Sequence, residues 1–168
     1  MPKSAIASVV LRVLIILNWV YGAAILVLLV VMPHEQWVMR SFKLSPSPDT
    51  DRLIRGMQLI AVLSLGAVPL NYLFFKRLLA IVETVRAGDP FVAANADRLQ
   101  TIAWLLLGLQ LLSIVIGAIA KSISTLAHPF HVDAGFSING WLAVLLTFLL
   151  ARVFAEGTRM REDLEGTV

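Results

Sequence analysis

Imidazoles with carboxylates beside them are the groupings of this chain best suited to chemistry, and all three histidines fall in two such stretches. His34 and Glu35 follow the first apolar segment, while His128, His131 and Asp133 fall between the third and the fourth. Together they are a donor set that a zinc or copper ion could use, and the imidazoles titrate close enough to neutrality to sense pH. The spacing argues for a plainer role: Pro129 takes His128 and His131 off any helical ligand register, and loop histidines are ordinarily solvated or paired with neighbours. No metal and no cofactor is therefore expected. The chain also has no H-E-x-x-H, no nucleophile elbow and no glycine-rich phosphate cradle. The apolar segments hold no Asp, Glu, Lys, Arg or His at depth, which disfavours a proton-coupled transporter or ion pump and a haem bundle. The expectation is a protein that is not an enzyme.

These residues are positioned by long apolar elements. Of 168 residues, 58% are hydrophobic, and the mean hydropathy is +0.83, far above that of a soluble domain. Segments at residues 13–32, 56–75, 99–120 and 134–151 are free of charge, and each is long enough, at roughly 20 residues, to cross a hydrocarbon core of about 30 Å. The expected fold is an all-α integral membrane protein: a single domain, residues 1–168, with four spans near 10–32, 53–75, 99–120 and 138–155. Residues 33–50 and 121–138 form the outer loops, and 76–98 and 152–168 extend helices two, three and four into the cytoplasm. The first span, preceded by Lys3 and Arg12 and lacking an Ala-x-Ala site, reads as a retained signal anchor.

Basic residues set the orientation. With the N-terminus inside, nine lie on the inner side (Lys3, Arg12, Lys76, Arg77, Arg86, Arg98, Arg152, Arg159 and Arg161). Five lie outside (Arg40, Lys43, Arg52, Arg55 and Lys121). The positive-inside rule then places both termini in the cytoplasm. The net charge of +3 reads as topology rather than a nucleic-acid surface, since no basic run carries interleaved aromatics. Absent cysteine excludes disulfides and thiolate metal sites.

Asn18, in helix one, is expected to bond a neighbouring helix. Helix two is expected from about Asp51 to Ala87, with Asp49 or Thr50 as its cap, Pro69 tolerated inside it and Gly88 ending it. Asp89 should then cap helix three, with Pro90 at its first position. Ser113 and Gly117 suggest a close small-residue contact. In the terminal helix Val153, Gly157, Met160 and Leu164 form one apolar stripe, opposed by Arg152, Glu156, Arg159 and Asp163 with alternating signs. Leu78, Ile81, Val82 and Val85 form a second stripe on the extension of helix two. Glycine at 157 costs about 1 kcal/mol of helix propensity, so another backbone should approach there, and the extension containing Leu78 and Val82 is the one expected. Gly157, Arg159, Met160, Leu164, Leu78 and Val82, with the turn Gly88–Phe91, are the candidate docking residues for a soluble partner.

Ala87-Gly88-Asp89-Pro90-Phe91, the following Arg98-Leu99 and Trp104, and the tail residues Arg152, Val153, Phe154, Gly157, Arg161, Glu162, Gly166, Thr167 and Val168 resemble the bacterial membrane family called domain of unknown function 2975. The resemblance covers the whole four-helix layout, and the tail carries most of its specificity. It implies a small four-span protein with no assigned enzyme activity and no cofactor. It also implies an association with a small cytoplasmic helix-turn-helix protein of the Cro/C1 repressor type, which would bind the nucleic acid itself. The leading expectation is thus a membrane-embedded interaction or regulatory protein whose partners are the lipid bilayer and that regulator. The alternative is a small-molecule export or immunity protein using a cavity near Asn18, Asn71 and Gln110. The sequence leaves open the signal, the partner's identity and whether the chain forms a homo-oligomer.

Overall fold

The computed structural model describes residues 3–31, 48–124 and 136–165. It contains four helices in chain order: α1 Lys3–Val31, α2 Pro48–Arg86, α3 Ala93–Ile123 and α4 Ile138–Glu165. Each contains a stretch long and apolar enough to cross a membrane. α2 has 39 residues and at 1.5 Å per residue measures about 58 Å, so it overshoots a hydrocarbon core of roughly 30 Å. It starts at Pro48, one residue ahead of Asp49 and two ahead of Thr50, the expected caps, with proline in the first turn, where its missing N–H costs nothing.

The helices pack in sequence, α1 on α2, α2 on α3 and α3 on α4. Small residues mark the close approaches. A Cβ at Gly22 would stand 3.2 Å from Val68, one at Gly56 would overlap Ile123, and one at Gly140 would overlap the Gln110 amide. Asn18 donates its amide to the Val68 carbonyl at 3.0 Å, fulfilling the expected interhelical bond. The acceptor lies next to Pro69, the residue that interrupts the α2 backbone pattern without ending the helix. Trp19 and Tyr72 continue the α1–α2 seam with ring centroids 5.8 Å apart. Gly117 is buried but Ser113 is exposed, so these two do not share the packing face expected of them.

Leu11, Ile25, Val68, Leu99, Ile102, Ala103, Val144 and Ala151 form the buried interior. Ile16, Val20, Val27, Leu145 and Leu149 point outward. Exposure on that scale would be an aggregation hazard in water, but it is the normal outer surface of helices solvated by acyl chains.

At the end carrying the termini, α2 stops at a glycine with φ +86°. Gly88 N–H donates to the Val85 carbonyl at 3.2 Å and Asp89 N–H to the Thr84 carbonyl at 3.1 Å, the paired bonds of a Schellman cap. The next helix does not begin where expected. α3 starts at Ala93, its N-cap is Val92 in extended conformation, and no side chain caps it. Asp89 is not the cap because its carboxylate is paired with Arg161 of α4, and Asp89–Val92 lie outside any helix.

Candidate functional site

The turn between α2 and α3 is held on two sides. From within, Asn95 is fully buried. Its amide donates to Thr84 Oγ1 at 2.7 Å and to the Pro90 carbonyl at 2.9 Å. Its own Oδ1 accepts from Arg98 at 2.8 Å, and Arg98 reaches the Ala80 carbonyl at 3.4 Å. Thr84 in turn donates to the Ile81 carbonyl at 2.8 Å. A buried amide without such partners would cost about 1–3 kcal/mol per group; here the network closes and ties α2, the turn and α3 together.

From the other side comes α4. Phe91 lies against Phe154, ring centroids 5.2 Å apart and tilted by 32°, and Arg161 donates to the Asp89 carboxylate. A Cβ at Gly157 would stand 3.3 Å from Phe91 Cδ1, so the absence of a side chain there lets the ring seat on the helix. Thr158 is buried and returns its hydroxyl to the Phe154 carbonyl at 2.9 Å. The face of the α4 tail that packs is therefore Ala151, Phe154, Thr158 and Arg161, with Gly157 at its edge.

Two expectations are corrected here. The close neighbour of Gly157 is the Phe91 ring, not the backbone of the extension containing Leu78 and Val82, both of which are half-buried elsewhere on α2. The apolar stripe read from the sequence is not the packed one: Val153 and Met160 are 54% and 56% exposed. The charged stripe, Arg152, Glu156, Arg159 and Asp163, is exposed as expected. The side chain of Leu164 lies outside the described residues, as do His34, Glu35, His128, His131 and Asp133. Among the described residues no group of three or more His, Cys, Asp or Glu could hold a metal ion.

Asn95, Thr84 and Thr158 carry much of this cluster and were not singled out by motif. Asn95 and Arg98, three apart at the polar foot of an apolar helix, were the available signal. Of the polar residues at depth, Asn18 belongs to the α1–α2 seam and Gln110 to the α3–α4 seam beside Gly140, so the two lie at different interfaces.

Toward the membrane from the cluster, α3 and α4 leave a groove of about 220 Å³, lined by Ala96, Asp97 and Gln100 on one wall and Phe148, Ala151, Arg152 and Ala155 on the other. Charged residues gather near this level on the other helices. Running from the Trp19–Tyr72 contact toward the termini, α1 reaches Arg12 and α2 reaches Lys76 and Arg77, with Lys76 Nζ 5.9 Å from the Tyr72 ring centroid.

Four apolar helices with charged extensions at one end define a multi-pass helical protein of the inner membrane, solvated by the lipid bilayer. Residues 11–168 match the model of the family described as "Protein of unknown function (DUF2975)", and the chain belongs to that family. The two segments that carried the resemblance, the Gly88–Phe91 turn and the α4 tail, are the two that meet in this cluster. No curated protein and no solved structure matches the chain.

Proposed function

We propose that this protein is a non-enzymatic membrane regulator, oriented with both termini in the cytoplasm, whose turn–tail cluster docks a small helix-turn-helix transcription regulator. The observation that carries the reading is the seating of Phe91 on Phe154 and Gly157, closed by the Asp89–Arg161 ion pair. That seating gives the projecting helix a fixed direction and leaves Val153 and Met160 exposed beside an exposed charged stripe. An apolar strip with a charged rim suits helix-in-groove contact. No nucleic acid binds directly on this reading; the partner carries that function. The export or immunity alternative is less well supported, because Asn18 and Gln110 are engaged at separate helix seams.

The test is capture of the tagged protein from native membranes. Wild type should retain a small DNA-binding protein, and Gly157→Leu should reach the membrane at normal levels while losing it. Full retention by that variant would defeat the docking reading.

A further inference from the structure

The groove between α3 and α4 sits where both helices change character. The apolar run 99–120 begins just after Asp97, and the apolar stretch of α4 ends at Ala151, just before Arg152. Its position is thus at the headgroup level, whichever side of the membrane the termini occupy. Ala96 and Ala151 are buried in its floor. Its rim carries both signs of charge, Asp97 with Gln100 on α3 and Arg152 on α4, all exposed. Among the described residues neither the Asp97 carboxylate nor the Arg152 guanidinium has a charged partner. At its deeper end Phe148 meets the exposed Trp104 edge to face at 5.2 Å, so the groove runs into an apolar wall that continues through Leu145 and Leu149.

A phosphate alone would satisfy Arg152 and be repelled by Asp97. A headgroup bearing both a phosphate and a primary ammonium matches both rims. We propose that this groove binds the phosphoethanolamine headgroup of a membrane phospholipid. Arg152 donates to the phosphate, and the ammonium donates to the Asp97 carboxylate and the Gln100 carbonyl oxygen. The acyl chains lie along Phe148 and Trp104. A choline headgroup has no N–H to donate, and a glycerol headgroup brings no positive charge to Asp97, so the site distinguishes ethanolamine from both. The inference is independent of any soluble partner.

The experiment is thermal unfolding of the full chain in detergent with added phosphatidylethanolamine, phosphatidylcholine or phosphatidylglycerol, reading the lipid concentration that gives half-maximal stabilisation. Wild type should bind the ethanolamine lipid about tenfold more tightly than either other lipid, the scale set by one charge-assisted hydrogen bond. Arg152→Gln should weaken all three by roughly tenfold. Asp97→Asn should abolish the preference and strengthen phosphatidylglycerol binding. Because both side chains are exposed, the lipid-free unfolding temperature of each variant should stay at the wild-type value. Equal affinity of wild type for the three lipids overturns the proposal, as does an unchanged preference in Asp97→Asn. The wild-type ranking decides the matter alone if a variant cannot be purified.

Discussion

Replacing Gly157 with leucine should undock the α4 tail from the turn while leaving the four spans inserted. A Cβ at this position would already stand 3.3 and 3.5 Å from two Phe91 ring atoms, tight but tolerable if the ring yields slightly. The branched remainder of leucine has no such space and must displace the ring. Overpacking of this kind costs about 1–3 kcal/mol, and the lost Phe91–Phe154 contact costs about 0.5–1.5 kcal/mol more. The gain in helix propensity does not offset this, because α4 is helical whether docked or not. Undocking should therefore become roughly tenfold to a thousandfold more favourable. The chain has no cysteine, so a pair introduced by Asp89→Cys and Arg161→Cys reports the docked state in membranes through a short thiol-specific bifunctional cross-linker, which takes the place of the arginine side chain that now spans the gap. In the Gly157 background, cross-linking should be rapid and near complete; adding Gly157→Leu should slow it at least tenfold. Gly157→Ala should change it little, since the required ring movement is small. Unchanged cross-linking with leucine would refute the seating of Phe91 on α4.

Other perturbations separate the remaining contacts. Asn95→Ala strips partners from Thr84, Pro90 and Arg98 and should destabilise the detergent-solubilised protein by about 2–4 kcal/mol, read as a lowered unfolding temperature; no change would mean that the network contributes nothing. Asn18→Val should cost only about 0.6–1.7 kcal/mol in the same assay, because one interhelical bond is lost. Arg161→Gln, in which an ion pair with both side chains nearly half exposed is broken, should cost about 0–1 kcal/mol and less at high salt, measured by a double-mutant cycle with Asp89→Asn. Changing His34, His128 and His131 together to Gln should leave insertion and stability intact, and stoichiometric zinc or copper in wild type that disappears in the triple variant would contradict this. A reporter active only in the cytoplasm should work after Val168 and fail between the third and fourth spans; the reverse pattern would overturn the charge-based orientation.

The spans were legible because membrane insertion is decided by local composition, and Pro69 was readable as internal because lipid leaves a helix no cheaper alternative. The stop at Gly88 was legible for a similar reason, since only its positive φ closes the Schellman cap. Asp89 misled because aspartate before proline is a good local cap, while its actual partner, Arg161, is 72 residues away. The packed face of the α4 tail misled for a different reason. Near the headgroups an apolar side chain such as Val153 can face outward without penalty, so the more apolar stripe need not be the buried one. Gly157 was correctly marked as a point of close approach, but a missing side chain does not say whether a backbone or a ring fills the space. Asn95 could be located but not ranked, since its importance comes from Thr84 and Pro90 on the preceding element.

The docking surface is tested most directly by placing a photo-crosslinking residue at Met160, the exposed apolar position of the α4 tail, and irradiating native membranes. The expected product is an adduct with a small soluble DNA-binding protein that vanishes when Gly157→Leu is added. Adducts with lipid alone, or a protein adduct indifferent to Gly157→Leu, would contradict a regulator docked on this cluster.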